Sequence, residues 1–258
     1  MLPEKRLKIL FSLLLGTSVA LTPAPHAGAA LRFSTDAPGT ALPSGWRDYA
    51  MSRHRPAAPT TLMRENGKTV LSIDTDKNAA AVAHKLDLPA STLLSWRWKV
   101  DHSVAAADMT RRSGDDSAAR VYVFFAVPRS SLSLYQRMKL SLAEHVLGHP
   151  LPTAALCYVW DNRHAVGTIA PSPFFSGVRT IVLQSGNRHA GAWQPETRDL
   201  AADFRAAFGH KAPPITGIAL AADSDNTGGN AHAWFGDITL TPDATRNAST
   251  AARAGNAP

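Results

Sequence analysis

The sequence predicts an all-β protein, an antiparallel β-sandwich of jelly-roll type with an inserted amphipathic helix and one shorter helix. Short runs with strand-like alternation recur along the 258 residues, and turn residues separate them. Helical periodicity interrupts these runs only twice. The sequence has no internal repeat, linker or change of composition before residue 241, so we expect a single domain over residues 30–241.

Eight segments have the pattern of strands. In chain order they are Thr69 to Asp74, Ala81 to Leu86, Leu93 to Asp101, Arg120 to Val127, Ala155 to Trp160, Arg179 to Gln184, Ile215 to Ala222 and Ala231 to Leu240. Many short strands separated by turns are typical of a sandwich or a barrel.

Two segments have helical patterns. Residues 130–147 carry Leu134, Met138, Leu142 and Val146 at fourfold spacing, follow serines that can cap a helix, and end before Gly148-His-Pro150. Because strands flank this helix, we expect it to lie across one edge or mouth of a sheet. A shorter helix is predicted over residues 198–208, ended by Gly209. Residues 242–258, rich in Ala, Asn, Ser and Thr, are predicted to be a disordered tail.

Residues 1–29 have the features of a secretory signal peptide. Lys5, Arg6 and Lys8 precede an apolar run over residues 9–21, and small residues follow as far as Ala29. As a helix the run would extend roughly 20 Å, less than the ~30 Å of a bilayer core. We therefore expect a periplasmic or secreted protein of a Gram-negative bacterium, with no transmembrane segment in its mature form.

The chain is basic, with 27 Lys and Arg against 20 Asp and Glu, a formal net charge of +7 and a pI near 9.9. Such a charge favours anionic partners, among them acidic polysaccharide and lipid headgroups. The cations are dispersed and match no nucleic-acid-binding motif, so nucleic acid is not an expected partner.

The common enzyme motifs are absent from the sequence. The histidines have no zinc-binding spacing, and there is no nucleophile elbow, phosphate-binding loop or dinucleotide fingerprint. The single cysteine, Cys157, cannot form an internal disulfide, and its apolar neighbours favour a buried thiol.

The faces of the predicted strands suggest a ligand-binding surface. Alternation places Trp96 and Trp98 on a buried face and Arg97 and Lys99 on the opposite one. In the same way Arg120 and Tyr122 lie opposite an apolar row. The predicted ligand face takes charge from Arg97, Lys99 and Arg120, stacking surface from Tyr122, Tyr158 and Trp160, and polar contacts from Asp115, Asp116, Asp225 and Asn226.

Two groups in this set have alternative interpretations. Tyr158 and Trp160 could equally form a second core layer under the inserted helix. Asp115 and Asp116 point to opposite faces of a strand, so one is expected beside Arg120 or a metal and the other in solvent. A structural Asp–Arg bridge is favoured over a glycosidase pair with Asp223 or Asp225.

The segment Asp223-Ser-Asp-Asn-Thr-Gly228 resembles the first half of a calcium-binding loop. The bidentate Glu expected at the twelfth position is absent, since that position is Trp234. A possible Ca²⁺ site would use Asp223, Asp225 and a distant carboxylate, Asp237. The alternatives are a polar turn between two strands, or a loop in which Asp225 and Asn226 contact ligand directly.

Six sequence blocks span almost the whole chain after the signal. They are Leu42-Pro-x-Gly-Trp46, Leu94-x-Trp-x-Trp-Lys-Val100, Gly114-Asp-Asp-x-Ala-Ala-Arg-Val-Tyr-Val123, Tyr158-Val-Trp160, Asp223-x-Asp-Asn-Thr-Gly228 and Phe235-Gly-Asp-Ile238. In this order the blocks resemble the bacterial domain of unknown function 3047 family. No activity is established for that family, so the resemblance implies a fold more than a function. The first and last strands are also similar to those of jelly-roll, galactose-binding-like carbohydrate-binding modules, in which an acidic residue near the last strand, here Asp237, often helps hold a calcium ion.

These observations favour an exported, non-catalytic binding protein for envelope glycan or another hydroxylated or acidic ligand. The alternatives are a polysaccharide hydrolase or lyase with paired carboxylates, and a structural protein of the cell envelope without a small ligand. The sequence indicates no oligomeric state.

Overall fold

Two β-sheets of seven strands each pack face to face in the computed structural model, which describes residues 27–49, 51, 56–147 and 152–243. The predicted all-β sandwich of jelly-roll type is confirmed. The strands are antiparallel except for one parallel pair near an edge of the second sheet.

The strands are numbered in chain order. The first sheet contains β1 (Ala29–Leu31), β3 (Thr60–Glu65), β4 (Lys68–Asp76), β6 (Thr92–Val100), β11 (Gln194–Asp199), β13 (Asn230–Phe235) and β14 (Ile238–Pro242). The second contains β2 (Trp46–Asp48), β5 (Ala79–Leu88), β7 (Ser117–Phe125), β8 (Ala154–Asp161), β9 (Ile169–Pro171), β10 (Val178–Ser185) and β12 (Ile215–Asp223). The helices are α1 (Leu134–Leu147) and α2 (Leu200–Phe208).

All eight predicted strand segments are strands in the structure. The last of them is divided into β13 and β14 at Gly236, and both parts pair with β6. The sequence did not indicate β1, β2, β3, β9 and β11, which are three to six residues long. The parallel pair is β8 with β10.

The hydrophobic core between the sheets is built around four large aromatic side chains. Trp96 and Trp98 of β6 are buried, as predicted, and they face Tyr158 and Trp160 of β8. The ring centroids of Trp96 and Tyr158 are 5.5 Å apart, and those of Trp98 and Trp160 are 6.0 Å apart. The prediction that Tyr158 and Trp160 lie on an open ligand face is therefore wrong.

The pairing of β7 with β8 explains this outcome. Val121 lies directly opposite Tyr158, and Arg120 lies opposite Val159. Residues directly opposite in an antiparallel pair point to the same face of the sheet. Tyr158 therefore shares the core face with Val121, whereas Arg120 points to the outer face. The two rings belong to the main core, and not to a separate layer under α1.

The helix α2 closes one edge of the sandwich. Asp199 accepts a hydrogen bond from the Ala202 N–H, and Gly209 ends the helix in the left-handed conformation with φ of 79°. The helix presents Asp203 to the core, where the Tyr158 hydroxyl donates to its carboxylate at 2.7 Å. The predicted second helix is thus confirmed, with its start two residues later.

The helix α1 follows β7 and precedes β8 in the chain, as predicted. The apolar stripe of Leu134, Met138 and Leu142 does not face a sheet. The helix begins with a capping box in which Ser133 and Gln136 exchange side chain-to-backbone hydrogen bonds. Leu140 is buried, whereas Leu134, Met138 and Leu142 are 68%, 64% and 65% exposed. The predicted helix end at Gly148-His-Pro150 lies outside the described residues.

The predicted terminal segments fall mostly outside the described residues. Residues 1–26 of the expected signal peptide and residues 244–258 of the expected tail are among those not described. The expected boundary after residue 29 falls within β1, and β14 continues to Pro242. Within the described ranges, no helix combines the length and hydropathy needed to span a membrane.

The position of Trp160 in the core gives a first prediction. Trp160→Ala should lower the free energy of unfolding by about 3–5 kcal/mol, because it leaves a cavity beside Trp98. In contrast, the partly exposed Trp193→Ala should lower it by about 1 kcal/mol or less. Urea unfolding followed by far-UV circular dichroism measures both values. Equal, small losses would contradict the core assignment.

Candidate functional site

The outer surface of the first sheet carries the predicted site residues Arg97 and Lys99. They alternate with Trp96 and Trp98 along β6, so burial of the two indoles in the core directs both cations outward. Lys99 pairs directly with Trp234 of the neighbouring strand β13. We call this surface the aromatic–cationic face, and it comprises Glu65, Arg97, Lys99, Trp193, His232 and Trp234.

The two cations lie against indole rings. The Arg97 guanidinium carbon is 4.4 Å from the ring centroid of Trp193. The Lys99 Nζ is 5.7 Å from the centroid of Trp193 and 4.1 Å from that of Trp234, and it also pairs with Glu65. These are cation–π distances, so the charges fix the position of partly exposed aromatic rings.

A second set of contacts holds Trp234. The His232 imidazole stacks on its ring with centroids 3.8 Å apart, and the His232 Nε2 is 2.6 Å from the Ser72 Oγ. The Trp234 indole N–H points to the Met63 sulfur at 3.3 Å. Burial lowers the pKa of His232, so its imidazole is neutral at pH 7. The face thus combines neutral rings with fixed charges.

Gly236 makes room for the Arg97 side chain. A Cβ atom at this position would lie 2.6 Å from the Arg97 Nε and 2.7 Å from its Cγ. The Gly236 N–H also donates to the Arg97 carbonyl at 2.9 Å. The arginine therefore crosses the break between β13 and β14 and reaches Trp193, a path that any larger residue at position 236 would obstruct.

Sequence reasoning missed four members of this face. In β13, His232 and Trp234 alternate with the buried Ala231, Ala233 and Phe235, and this alternation could have revealed them. Trp193 precedes β11, a polar strand without a clear pattern, and no local signal places it beside Arg97. Glu65 ends β3, which the sequence also did not indicate.

Arg120 and Tyr122 lie on the outer face of the second sheet, but they are not open to solvent as a platform. Arg120 is 5% exposed. Its guanidinium donates to the Tyr122 hydroxyl at 3.0 Å and to the Asp115 carbonyl and carboxylate at 2.6 and 3.1 Å. The favoured Asp–Arg bridge is therefore present. The prediction that these residues share one open patch with Tyr158 and Trp160 is wrong.

The same outer face buries Cys157. The Cys157 side chain packs with Met109, Val159 and Val182, and Tyr122 packs against these four residues. Burial raises the pKa of the Cys157 thiol to about 12, although the nearby Arg120 opposes the shift. The thiol is protonated at neutral pH, which confirms the expected buried, unreactive cysteine.

Asp116 is buried and organises the loop that follows β12. Its carboxylate accepts hydrogen bonds from the Asn226 N–H at 3.0 Å, the Thr227 N–H at 2.7 Å and the Thr227 hydroxyl at 2.6 Å. Burial opposes ionisation, but these hydrogen bonds outweigh it and lower the pKa of Asp116. Since Asp115 is buried as well, the prediction that one of the two faces solvent is wrong.

Asp116, Asp223 and Asp225 form an acidic cluster, in which one carboxylate oxygen from each residue lies within 4.8 Å of the others. The Asp223 Oδ2 is also 3.9 Å from the Arg120 Nη2. Burial raises the pKa of Asp223 to about 8, an effect that Arg120 opposes and the charges of Asp225 and Asp116 reinforce. Arg120 therefore does not offset the combined effect of burial and the neighbouring carboxylates on Asp223.

Asp237 does not belong to this cluster. Its carboxylate accepts hydrogen bonds from the Phe33 N–H at 2.8 Å, the Ser34 N–H at 2.9 Å and the Ser34 hydroxyl at 2.6 Å. It thus attaches the segment after β1 to the first sheet. The structure therefore does not bring Asp237 together with Asp223 and Asp225, as the predicted metal set requires, and the third carboxylate beside those two is that of Asp116.

Asp225 and Asn226 lie apart from the aromatic–cationic face. Asn226 is exposed, and Asp225 borders a cleft of about 450 Å³ that Tyr49 and Ala79 also line. Among the ten predicted ligand-binding residues, only Arg97 and Lys99 lie on the outer face of the first sheet. Of the remaining eight, Arg120, Tyr122, Tyr158 and Trp160 lie on the second sheet, Asp115 and Asp116 lie directly before β7, and Asp225 and Asn226 lie on the loop after β12.

The fold and this site define a jelly-roll β-sandwich domain with an aromatic–cationic outer face and a separate acidic cluster. The chain belongs to the family described as "Protein of unknown function (DUF3047)", whose model matches residues 44–239. Both sequence blocks of the acidic cluster, and all of the aromatic–cationic face, lie inside the matched region. No curated protein matches the chain.

Several solved structures are distantly similar to the chain. A family 30 carbohydrate-binding module of a Clostridium thermocellum cellulosomal cellulase has 11% identity and a TM-score of 0.38, over 84% of this chain and 99% of the module. A family 12 xyloglucanase from Bacillus licheniformis has 6% identity and a TM-score of 0.42, over 84% and 99%. The K3 cleaved adhesin domain of Lys-gingipain from Porphyromonas gingivalis has 10% identity and a TM-score of 0.37, over 84% and 100%. At this distance the likenesses do not indicate what the chain binds.

The raised pKa of Asp223 predicts a pH-dependent stability. In the folded protein the Asp223 carboxyl keeps its proton up to a pH of about 8, whereas in the unfolded chain it loses the proton near the ordinary pKa of 3.8. The contribution of Asp223 to the free energy of unfolding is therefore complete below pH 3.8 and is lost as the pH rises through about 8. Asp223→Asn should flatten this part of the profile. Unfolding free energies measured by urea titration between these pH values, with a chelator present, provide the comparison. An unchanged slope in the variant would disprove the assignment.

Proposed function

We propose that this protein is a non-catalytic binding protein for glycan or another hydroxylated, acidic ligand, and that the aromatic–cationic face is its binding surface. The observation that carries the proposal is the presence of Trp193 and Trp234 with Arg97 and Lys99 on one outer sheet face. The rings and charges are partly exposed there, and cation–π contacts hold them in fixed positions.

The chemistry of this face suits a sugar. The C–H faces of a pyranose ring stack on indoles, while its hydroxyl groups bond to charged and polar side chains. Arg97 and Lys99 supply donors, and Lys99 is also paired with Glu65. A carboxylate or sulfate group on the ligand would pair with the Arg97 guanidinium, which favours acidic glycans over neutral ones.

The positions of the carboxylates favour binding over hydrolysis. A glycosidase needs two carboxyl groups on opposite sides of a cleft, roughly 5–10 Å apart. Asp115, Asp116 and Asp223 are buried, and hydrogen bonds or an arginine hold them within the fold. Export directed by residues 1–29 is part of the proposal, because it would bring the face into contact with envelope polysaccharide.

A double substitution tests the proposed face. Trp193→Ala combined with Trp234→Ala should weaken binding to the best ligand of a glycan array by about tenfold or more, since both stacking surfaces are lost. The melting temperature should change little, because neither ring belongs to the core. Binding is measured by isothermal titration calorimetry with the best acidic oligosaccharide.

Phe174→Ala provides the matched control, since Phe174 is an exposed aromatic residue elsewhere on the surface. It should bind glycan as the unsubstituted protein does. Equal affinities in the double variant and the control would overturn the proposal. Binding that disappears with salt and shows no preferred sugar would instead support a structural protein of the envelope.

We also propose that Asp116, Asp223 and Asp225 hold a hard divalent cation, with Ca²⁺ as the first candidate. Three carboxylate oxygens already converge within 4.8 Å. Ser117 lies directly opposite Asp223 in the pairing of β7 with β12, and its buried hydroxyl has no hydrogen-bond partner among the described residues. A serine oxygen beside three carboxylates suits a cation that prefers oxygen ligands. The cation would tie the start of β7 to the loop after β12.

Thermal unfolding with calcium and with chelator tests this site. Calcium should raise the melting temperature of the unsubstituted protein, and Asp225→Asn should abolish the increase. Asp237→Asn is the matched control, because it removes a carboxylate outside the cluster and should leave the calcium response intact. A response that is absent from the unsubstituted protein, or that Asp237→Asn alone removes, would overturn the proposal.

A further inference from the structure

The helix α1 presents an apolar surface to solvent. Leu134, Met138 and Leu142 recur at fourfold spacing, so at about 100° per residue they lie along one side of the helix. Their exposed fractions are 68%, 64% and 65%, and that of the adjacent Tyr135 is 66%. Four exposed large apolar residues on one short helix are unusual for a surface that contacts only water.

A loop lies on the side of α1 away from the apolar stripe. The Gln136 side chain donates to the Ser176 hydroxyl at 3.3 Å, which places this side of α1 beside the loop before β10. Leu140, one turn further along the same side, is buried. The stripe therefore faces away from the body of the protein, and we call the surface of Leu134, Tyr135, Met138 and Leu142 the apolar ridge.

Positive charges border the apolar ridge. Arg137 and Lys139 are exposed on either side of the stripe, and the Lys139 Nζ is 5.0 Å from the ring centroid of Tyr135. Glu144 is the only acidic residue between Asp116 and Asp161. Its side chain is 16% exposed and pairs with Arg129. The ridge therefore presents apolar groups and cations without an exposed acidic side chain on the helix.

The loop beside α1 adds no acidic residue, since none occurs between Asp161 and Glu196 in the sequence. Arg179 in that stretch donates to the carbonyl of Ser176, the residue that contacts Gln136. A second copy of this surface would carry the same positive charge, so self-association through the ridge is electrostatically disfavoured. An anionic surface complements the cations, and a lipid bilayer also accepts the apolar stripe.

We propose that α1 docks the protein on the surface of an anionic lipid bilayer. The apolar stripe would enter the boundary between headgroups and acyl chains, and Arg137 and Lys139 would pair with lipid phosphates. Tyr135 suits the interface because its ring is apolar and its hydroxyl is polar. The helix lies along the membrane plane in this arrangement and does not cross it.

Sedimentation with lipid vesicles tests the proposal. The unsubstituted protein should bind vesicles of equal parts phosphatidylcholine and phosphatidylglycerol and should bind vesicles of phosphatidylcholine alone much more weakly. The triple variant Leu134→Ser, Met138→Ser and Leu142→Ser should lose about tenfold or more in partitioning, because the apolar contribution is removed. Far-UV circular dichroism confirms that α1 and the sheets remain folded.

Two controls separate apolar insertion from other causes. Leu93→Ser removes an exposed leucine of β6, outside the ridge, and should leave vesicle binding unchanged. Lys139→Glu should weaken binding to anionic vesicles and reduce its salt dependence while keeping the apolar stripe. The Trp193→Ala, Trp234→Ala variant should bind vesicles normally, so failure of the glycan proposal would not affect this result.

Three outcomes would overturn the proposal. The first is an absence of vesicle binding by the unsubstituted protein. The second is an equal loss of binding in the Leu93→Ser control and the triple variant. The third is a dimer, detected by analytical ultracentrifugation, that the triple variant abolishes while vesicle binding is absent. This last result would assign the ridge to contact between two copies of the chain.

Discussion

The packing of two aromatic pairs between the sheets determines the positions of the other features. Trp96 and Trp98 of β6 contact Tyr158 and Trp160 of β8, and all four rings are buried. Because side chains alternate along a strand, burying both tryptophans forces Arg97 and Lys99 onto the outer surface. The same register that builds the core thus creates the aromatic–cationic face.

The polar atoms of these rings connect the core to the sandwich edge. The Trp98 indole N–H donates to Glu196 at 3.2 Å, and the Tyr158 hydroxyl donates to Asp203, which also pairs with Arg198. Burial raises the pKa of Glu196, although hydrogen bonds from Gln184 and Trp98 oppose the shift. Since Glu196 and Arg198 belong to β11, these hydrogen bonds and ion pairs fix the strand that brings Trp193 to the aromatic–cationic face.

The sequence predicted the fold class and most of the strands, because alternation survives wherever one face of a strand is polar. It assigned Arg97 and Lys99 to the correct face for that reason. In β8 every residue is buried, so alternation could not tell which side faces the core, and Tyr158 was misplaced. Fourfold spacing likewise identified α1 but not the direction of its apolar side. The pairing of Asp116 with Asn226 spans 110 residues, and no local pattern reveals it.

The two sheets differ in what their outer faces do. On the second sheet, Met109 packs with Cys157, Tyr122 packs against the same cluster, and Asp115 neutralises Arg120 within the protein. On the first sheet, Arg97 and Lys99 instead lie on indole rings that remain partly exposed, and Lys99 is also paired with Glu65. A cation held by a carboxylate gains little from a ligand, because its charge is already compensated. The Arg97 guanidinium lies on an aromatic ring and has no ion pair among the described residues, so its charge is available to a ligand, and this difference favours the first sheet as the binding surface.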